Sequence, residues 1–523
     1  MKSVILWLLV GSLLISPLAQ EGTPPALEWK AFLPTLTLLA DHEYDRALVD
    51  LERFKTSPVL AIAARAQLEL ATVYAELRQD TNRALTYLTE IVNNPKYQPL
   101  ASLWANAALR VGKIKLARAV SRDQLVDVKS DFDRVYQTHP DTNVSAEALY
   151  MSAVLSERLQ DYEGATQKYQ RIRTEYSNSR DTPQALLNLA QHYTFQGNIK
   201  AALVQFQEVR NLFPDTTHAK QALASLTNLY RFYRAALLSG VNPAMSSAAA
   251  IYGSPRSISL SDVKELVDPH SFLVSDDDDL FLVDRAKKYA FKFRTNGRVT
   301  QTLSIMEPSA MAIGADGGLF AAERDTVRRL LIKNAPVWKV AMPGSKGELR
   351  PLRRINSLAV DSNGDLYVVD TEVHAVVKYL VSQRRNQMFP PSQNLRNIKE
   401  VAVDALDNVY LLDEKENTIR IYGSFGNPIG QVRLAGAALA GRGISGPVGL
   451  ALDSLNHLYV LDRGGAIQMY ELIYRSNGAM EAKLLNRVSF GGKFKEGPQT
   501  LAVSRSGQLY VAAKKSGTVL AYR

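Results

Sequence analysis

The sequence predicts two consecutive repeat architectures, an α-helical solenoid and then a closed ring of small antiparallel sheets. Three observations carry that reading. A small or aliphatic residue returns about every 37 residues through the first half. After a turn-rich stretch at 239–256 the hydrophobic period changes from about 3.6 to about 2. Beyond that stretch one strand–turn–strand template recurs six times.

The first twenty residues read as a secretory signal, with Lys2 as the positive start and Val4 to Ile15 as an apolar run. The run is shorter than the roughly 20 residues of a membrane span. Ala19 is the candidate last residue before cleavage, although Pro17 fits the small-x-small rule badly; an uncleaved N-terminal anchor is the alternative. No later stretch is apolar enough to cross a bilayer, so the rest is expected to be soluble. The 523 residues contain no cysteine, which excludes disulfides, thiolate metal sites, cysteine nucleophiles and a lipid-bearing cysteine. The formal charge of +10 favours anionic partners.

The helical repeat is marked by Ala47, Ala84, Val128, Ala165 and Ala202, at steps of 37, 44, 37 and 37. Each stands just after a turn and ahead of an apolar stripe. The clearest pair is DYEGATQKYQRI (161–172) against GNIKAALVQFQEV (197–209), where Tyr162, Ala165, Tyr169 and Ile172 match Ile199, Ala202, Phe206 and Val209. Offsets of three and four put these side chains on one helical face. Leu149 and Ala153, matched by Leu186 and Ala190, form the other wall of each hairpin, and Pro140 and Pro214 end second helices. The 44-residue step implies a longer helix around 99–120. This pattern resembles the tetratricopeptide (TPR) repeat over about 28–216, with a capping helix at 218–238, although it lacks the early Trp and the Gly at the close-approach position. The resemblance implies a groove that takes a peptide or partner helix, lined by Glu147, Tyr150, Val154 and Glu157, then Gln184, Leu187, Gln191 and Thr194.

In the second half, SFLVSDDDDLFLVD (271–284) aligns without gaps on SLAVDSNGDLYVVD (357–370). AMAIGADGGLFAAE (310–323), EVAVDALDNVYLLD (400–413), GLALDSLNHLYVLD (449–462) and TLAVSRSGQLYVAA (500–513) complete the set. The aromatic anchors are Phe281, Phe320, Tyr367, Tyr410, Tyr459 and Tyr510. Six units of four strands at this period predict a six-bladed β-propeller. The sixth unit has only three strands before Arg523, so the segment around Arg256–Leu260 is expected to supply its outer strand. The template resembles the NHL repeat, best around Asp413 and Asn417, over roughly 257–523. The expected layout is therefore signal or anchor 1–20, TPR-like solenoid 28–238, linker 239–256 and NHL-like propeller 257–523.

Candidate chemistry is sparse. Asp284, Asp370, Asp413 and Asp462 occupy one repeat position and read as turn caps. The run Asp276–Asp279 reads as a solvated turn, with a weak calcium contact as the alternative. The first strands, expected to line the central channel, read FLV, AMAI, LAV, VAV, LAL and LAV, methyl groups where a lactonase or lyase needs ligands. His270, His374 and His457 fall in different turn contexts, so no shared site, metal or cofactor is expected. Residues 324–385 hold twelve Lys or Arg against six Asp or Glu. Within them Arg328, Arg329, Lys333, Arg350, Arg353 and Arg354, with Arg384 and Arg385, form a candidate anion-binding patch or a solvated face. The expected function is a non-catalytic interaction scaffold, exported to a bacterial periplasm, outer envelope or exterior. Its partners are a protein or peptide, with anionic glycan or lipid head groups as further candidates and no nucleic acid. A propeller hydrolase or lyase with a TPR targeting arm, or an anionic glycan binder, is the alternative.

Overall fold

The computed structural model describes residues 24–239 and 251–522, apart from 262, 304, 306, 333–334, 345–347, 392–394, 396, 435–443, 445, 475–479 and 490–497. The expected signal, most of the linker and Lys333 lie outside the described residues. Among the described residues eleven α-helices precede a six-bladed propeller. The chain separates into two compact units, one up to Leu155 and one from Ser156 onward.

The first unit holds α1 (Pro24–Ala40), α2 (Tyr44–Phe54), α3 (Leu60–Thr72), α4 (Thr81–Asn93), α5 (Ala101–Arg118) and α6 (Arg122–Thr138). The division falls inside α7 (Ser145–Arg158). The second unit continues with α8 (Tyr162–Glu175), α9 (Thr182–Phe195), α10 (Ile199–Leu212) and α11 (Thr217–Ser239).

One local rule makes the hairpins. A residue in the left-handed region (His42, Gln79, Gln160 or Gly197) reverses the chain. The next helix then starts at a polar cap: Asp80, Asp161 and Asn198 accept the backbone N–H groups of Arg83, Gly164 and Ala201. Ser121 caps α6 in the same way. Each cap is worth about 1 kcal/mol. The recurring small residues are the core positions of these helices, with Ala47, Ala84, Ala165 and Ala202 at 0% exposure and Val128 at 2%. Larger side chains there would overpack, at about 1–3 kcal/mol each. The wide repeat step is absorbed by α5, which has 18 residues where α7 and α9 have 14, and by a 3₁₀ turn at Pro95–Tyr97.

The propeller comprises six antiparallel four-stranded sheets. Blades one to five run from Pro269 to Leu303, Pro308 to Lys339, Ile355 to Met388, Ile398 to Arg433 and Pro447 to Ser489. Blade six combines Pro498–Val503, Leu509–Ala513 and Thr518–Tyr522 with Arg256–Ser259, the outer strand expected from the linker. In that pairing Arg256 lies opposite Ala521 and Ile258 opposite Val519. Every first strand starts with a bulge, as between His270 and Phe272 or Ile398 and Glu400.

The six aromatic anchors are all buried. Three of their hydroxyls donate to the aspartates that cap the turn after the first strand: Tyr367 to Asp361 at 3.3 Å, Tyr410 to Asp404 at 2.9 Å and Tyr459 to Asp453 at 3.0 Å. The aspartates that end second strands cap the next turns. Asp284 accepts the N–H groups of Val267, Asp268 and Lys287, and Asp370 those of Arg353, Arg354, Glu372 and Val373. Asp413 and Asp462 accept from Glu416 and Gly464. In the acidic run, Asp276 is paired with Arg505 at 2.9 Å and Asp279 with Lys292 at 2.5 Å.

Candidate functional site

Turns after first strands and turns after second strands lie at opposite ends of each blade, so the propeller has two distinct faces. Within the second unit the helices occupy the first of these. Arg158, at the end of α7, reaches Ser362, Asn363 and Asp407 on the first turns of blades three and four. On α11, Asn228 donates to Asp453 at 2.8 Å. Tyr233 lies 2.9 Å from His457 Nε2 and donates to Glu471 at 2.5 Å, both in blade five. Gln221 reaches Asp276 of blade one. Tyr162 and Phe195 complete the joint, packing on Tyr474 in the long outer hairpin of blade five within one apolar cluster.

The groove residues are largely covered. Glu157, Leu187, Gln191 and Thr194 are buried, whereas Glu147, Tyr150, Val154 and Gln184 are half-buried. Glu157 accepts the Tyr169 hydroxyl at 2.9 Å and lies 2.6 Å from His192 Nε2, Glu147 is paired with Lys113 at 2.6 Å, and Gln184 donates to Asn188. Gly507, on the first turn of blade six, has φ +76° and leaves no room for a Cβ beside Asn228 Oδ1. Gly507→Ala is expected to cost about 2–3 kcal/mol by urea unfolding, from positive φ plus overlap. Gly364→Ala, at φ +80° with open space, isolates the φ cost at about 1 kcal/mol. Equal losses in the two variants would refute the packing argument.

At the other face the central channel opens. Its cavity of about 270 Å³ is lined by all six first strands. The expectation of methyl groups alone is corrected here, because residues just before the quoted runs line the channel as well. His270, Asn356 and Glu400 line the cavity together with Val274, Val360, Val403 and Leu452. His270 Nε2 lies 2.6 Å from the Asn356 carbonyl. Arg285 donates to Asn356 Oδ1 at 3.2 Å, and Asn356 Nδ2 donates to the Lys399 carbonyl at 2.8 Å. Glu400 Oε2 accepts the Leu450 N–H at 2.7 Å. Burial pushes Glu400 up to about 7, against the pull of Lys399 and Arg285. Burial, with Arg285 nearby, lowers His270 to about 4, so its ring is neutral at pH 7.

A signal for Glu400 was present in the sequence. In the gap-free alignment its column reads Ser271, Ala310, Ser357, Glu400, Gly449 and Thr500, one carboxylate among small residues. A second cleft of about 510 Å³ adjoins the mouth and is bordered by Asn356, His374, Lys399 and Glu414. His270 and His374 border the channel cavity and the adjoining cleft respectively, while His457 lies under α11 on the other face. Among the described residues no group of three or more His, Asp or Glu is arranged to hold a metal ion.

The cations of the candidate basic patch differ in their partners. Arg328 is paired with Glu323, Arg329 with Asp316 and Arg350 with Glu348. Arg353 and Arg354 are exposed, with no ion-pair partner among the described residues, as are Arg384 and Arg385.

A tetratricopeptide repeat model matches residues 147–179, and an NHL repeat model matches residues 352–379. No curated protein matches the sequence. Among solved structures the chain is similar to a streptogramin B lyase at 11% identity, covering 53% of this chain and 99% of that one, with a TM-score of 0.37. It is similar to the calcium-binding protein regucalcin of Agrobacterium tumefaciens at 13% identity, covering 52% and 93%, with a TM-score of 0.35. The RRP9 WD40 repeats match at 12% identity, covering 52% and 99%, with a TM-score of 0.34. Likenesses of this strength say nothing about chemistry. The chain thus carries one matched tetratricopeptide repeat in a helical N-terminal region and one matched NHL repeat in a six-bladed β-propeller closed by a strand from before the ring.

Proposed function

We propose that the protein is a non-catalytic interaction scaffold of the cell envelope or secreted space. It would engage a protein or peptide through its helical repeats and a second partner on the propeller face opposite α8–α11. One observation carries this reading: polar groups of the channel, apart from one Glu400 oxygen, are engaged in bonds between blades. Ser271 bridges to both backbone groups of Met311, and Ser357 accepts the Val401 N–H. Asn356 and His270 are tied across blades one, three and four. Groups used this way hold a ring together and leave recognition to the surface.

Arg353 and Arg354 are the side chains best placed for that recognition, being exposed while their backbone N–H groups are fixed by Asp370. Lys2 and the apolar run to Ile15 are the basis for placing the scaffold in an exported compartment. Crosslinking and capture from native envelopes with the full chain should recover discrete protein partners, and Arg353→Glu with Arg354→Glu should deplete those held by the propeller. Turnover of lactones or glycans with a stoichiometric bound metal would overthrow the proposal.

A further inference from the structure

We infer that the channel mouth on the face opposite α8–α11 is a binding site for a carboxylate-bearing ligand, held between Arg285, Arg354 and Lys399 with Glu400 beneath it. The inference goes beyond the scaffold reading and does not depend on it.

Charge at the rim is the first argument. Two carboxylates beside the mouth are each shared by two cations. Asp268 pairs with Arg285 at 3.1 Å and Lys514 at 3.4 Å, and Glu414 with Lys399 at 3.2 Å and Arg463 at 3.1 Å. Every such node keeps a surplus positive charge, and Arg354 adds an exposed guanidinium close enough to lower its neighbour Arg285. A rim of this sign attracts an anion and disfavours a cation.

Geometry is the second argument. The Arg285–Asn356 hydrogen bond brings a guanidinium to the edge of the cavity that His270, Asn356 and Glu400 line. One Glu400 oxygen is held by Leu450 N–H; the other has no protein partner among the described residues. A protonated Glu400 would donate from that oxygen to a ligand carboxylate, the partner an ionised Glu400 would repel. The charged and titratable groups facing Glu400 are Lys399 beside it and Arg285 from blade one, with His270 on the same cavity wall. His270 stays neutral above about pH 4 and does not alter the balance.

The sign of the pH dependence follows. Glu400 titrates near 7, and the ligand favours its protonated form, so binding raises that value. Affinity is therefore full below pH 7 and falls by up to about tenfold per pH unit above it, with a proton taken up on binding.

The test is calorimetric titration of the full chain at constant ionic strength with N-acetylglycine and with a neutral tripeptide bearing a free C-terminus, each against its amide. The expected result is that the acids bind and the amides do not, with affinity at pH 6 about tenfold above that at pH 8. Glu400→Gln should bind equally at both pH values, and the exposed Arg354→Gln should weaken binding several-fold at unchanged melting temperature. Tighter binding of the tripeptide would identify a partner's C-terminus as the source, and tighter binding of N-acetylglycine a free small acid. Equal binding of acids and amides, no binding of either acid to folded protein, or a pH dependence that survives Glu400→Gln would each overturn the inference.

Discussion

Removal of residues 251–262 is expected to replace the propeller's single cooperative unfolding transition by a broad one at lower temperature. The segment contributes the outer strand of blade six, with four residues paired to Thr518–Ala521. It also buries Ile258 and Leu260 against Leu280, Phe291 and Ala502, residues of blades one and six. Tyr252, in the same segment, is 6% exposed and donates to the Gly507 carbonyl at 2.6 Å. Without the segment, the inner three strands of blade six present an unpaired edge and an apolar face. Ring closure makes the loss more than local, because each blade depends on neighbours at both sides. A milder variant separates sequence from chain length: Ile258→Asp keeps every residue but places a carboxylate at a position 3% exposed. Its cost should be about 3–5 kcal/mol, from lost burial and an unpaired polar group. Differential scanning calorimetry decides the matter, and an unchanged single transition for the deletion would refute closure by this strand.

That strand is legible in the sequence, because a count of strands per repeat leaves one sheet short. The same holds for the buried Ala47, Ala84, Val128, Ala165 and Ala202 and for the six aromatic anchors, whose periodicity is local and set by the helix and strand geometries themselves. What could not be read were contacts between unlike repeats. Leu187, Gln191 and Thr194 fit a groove pattern, but their helix packs in a unit with strands more than 250 residues onward in sequence. Tyr233, His457 and Glu471 carry no motif, and only the docking of α11 on blade five brings them together. Glu400 was an intermediate case. Its column in the alignment carries one carboxylate among small residues, a signal that the reading of the first strands as methyl-bearing passes over, because that reading begins one residue later at Val401.

Truncation of Arg158 to alanine should cost about 3–5 kcal/mol at pH 7, the second large effect expected. Its guanidinium lies 3.0 Å from Asp407, with side-chain exposures of 7% and 4%, and also donates to Ser362 and Asn363. Burial pushes the Asp407 carboxyl above its ordinary range even with Arg158 present, and nearby Asp361 adds to the effect while Arg158 opposes it. Removing the cation strands that carboxylate in a place water does not reach, so in the variant it takes up a proton instead. A carboxyl whose folded-state pKa is raised contributes stability that is lost as pH rises through it. Arg158→Ala should therefore lose more stability at pH 7 than at pH 5, measured as the difference from wild type in urea midpoints. Replacing both partners by apolar residues, as in Arg158→Met with Asp407→Leu, should restore most of the loss, since a buried pair is worth little against a packed apolar substitute. If the double variant is no more stable than Arg158→Ala, the cost lies in the bonds to Ser362 and Asn363 rather than in the stranded charge. If Arg158→Ala itself stays within about 1 kcal/mol of wild type, the pair contributes little to stability.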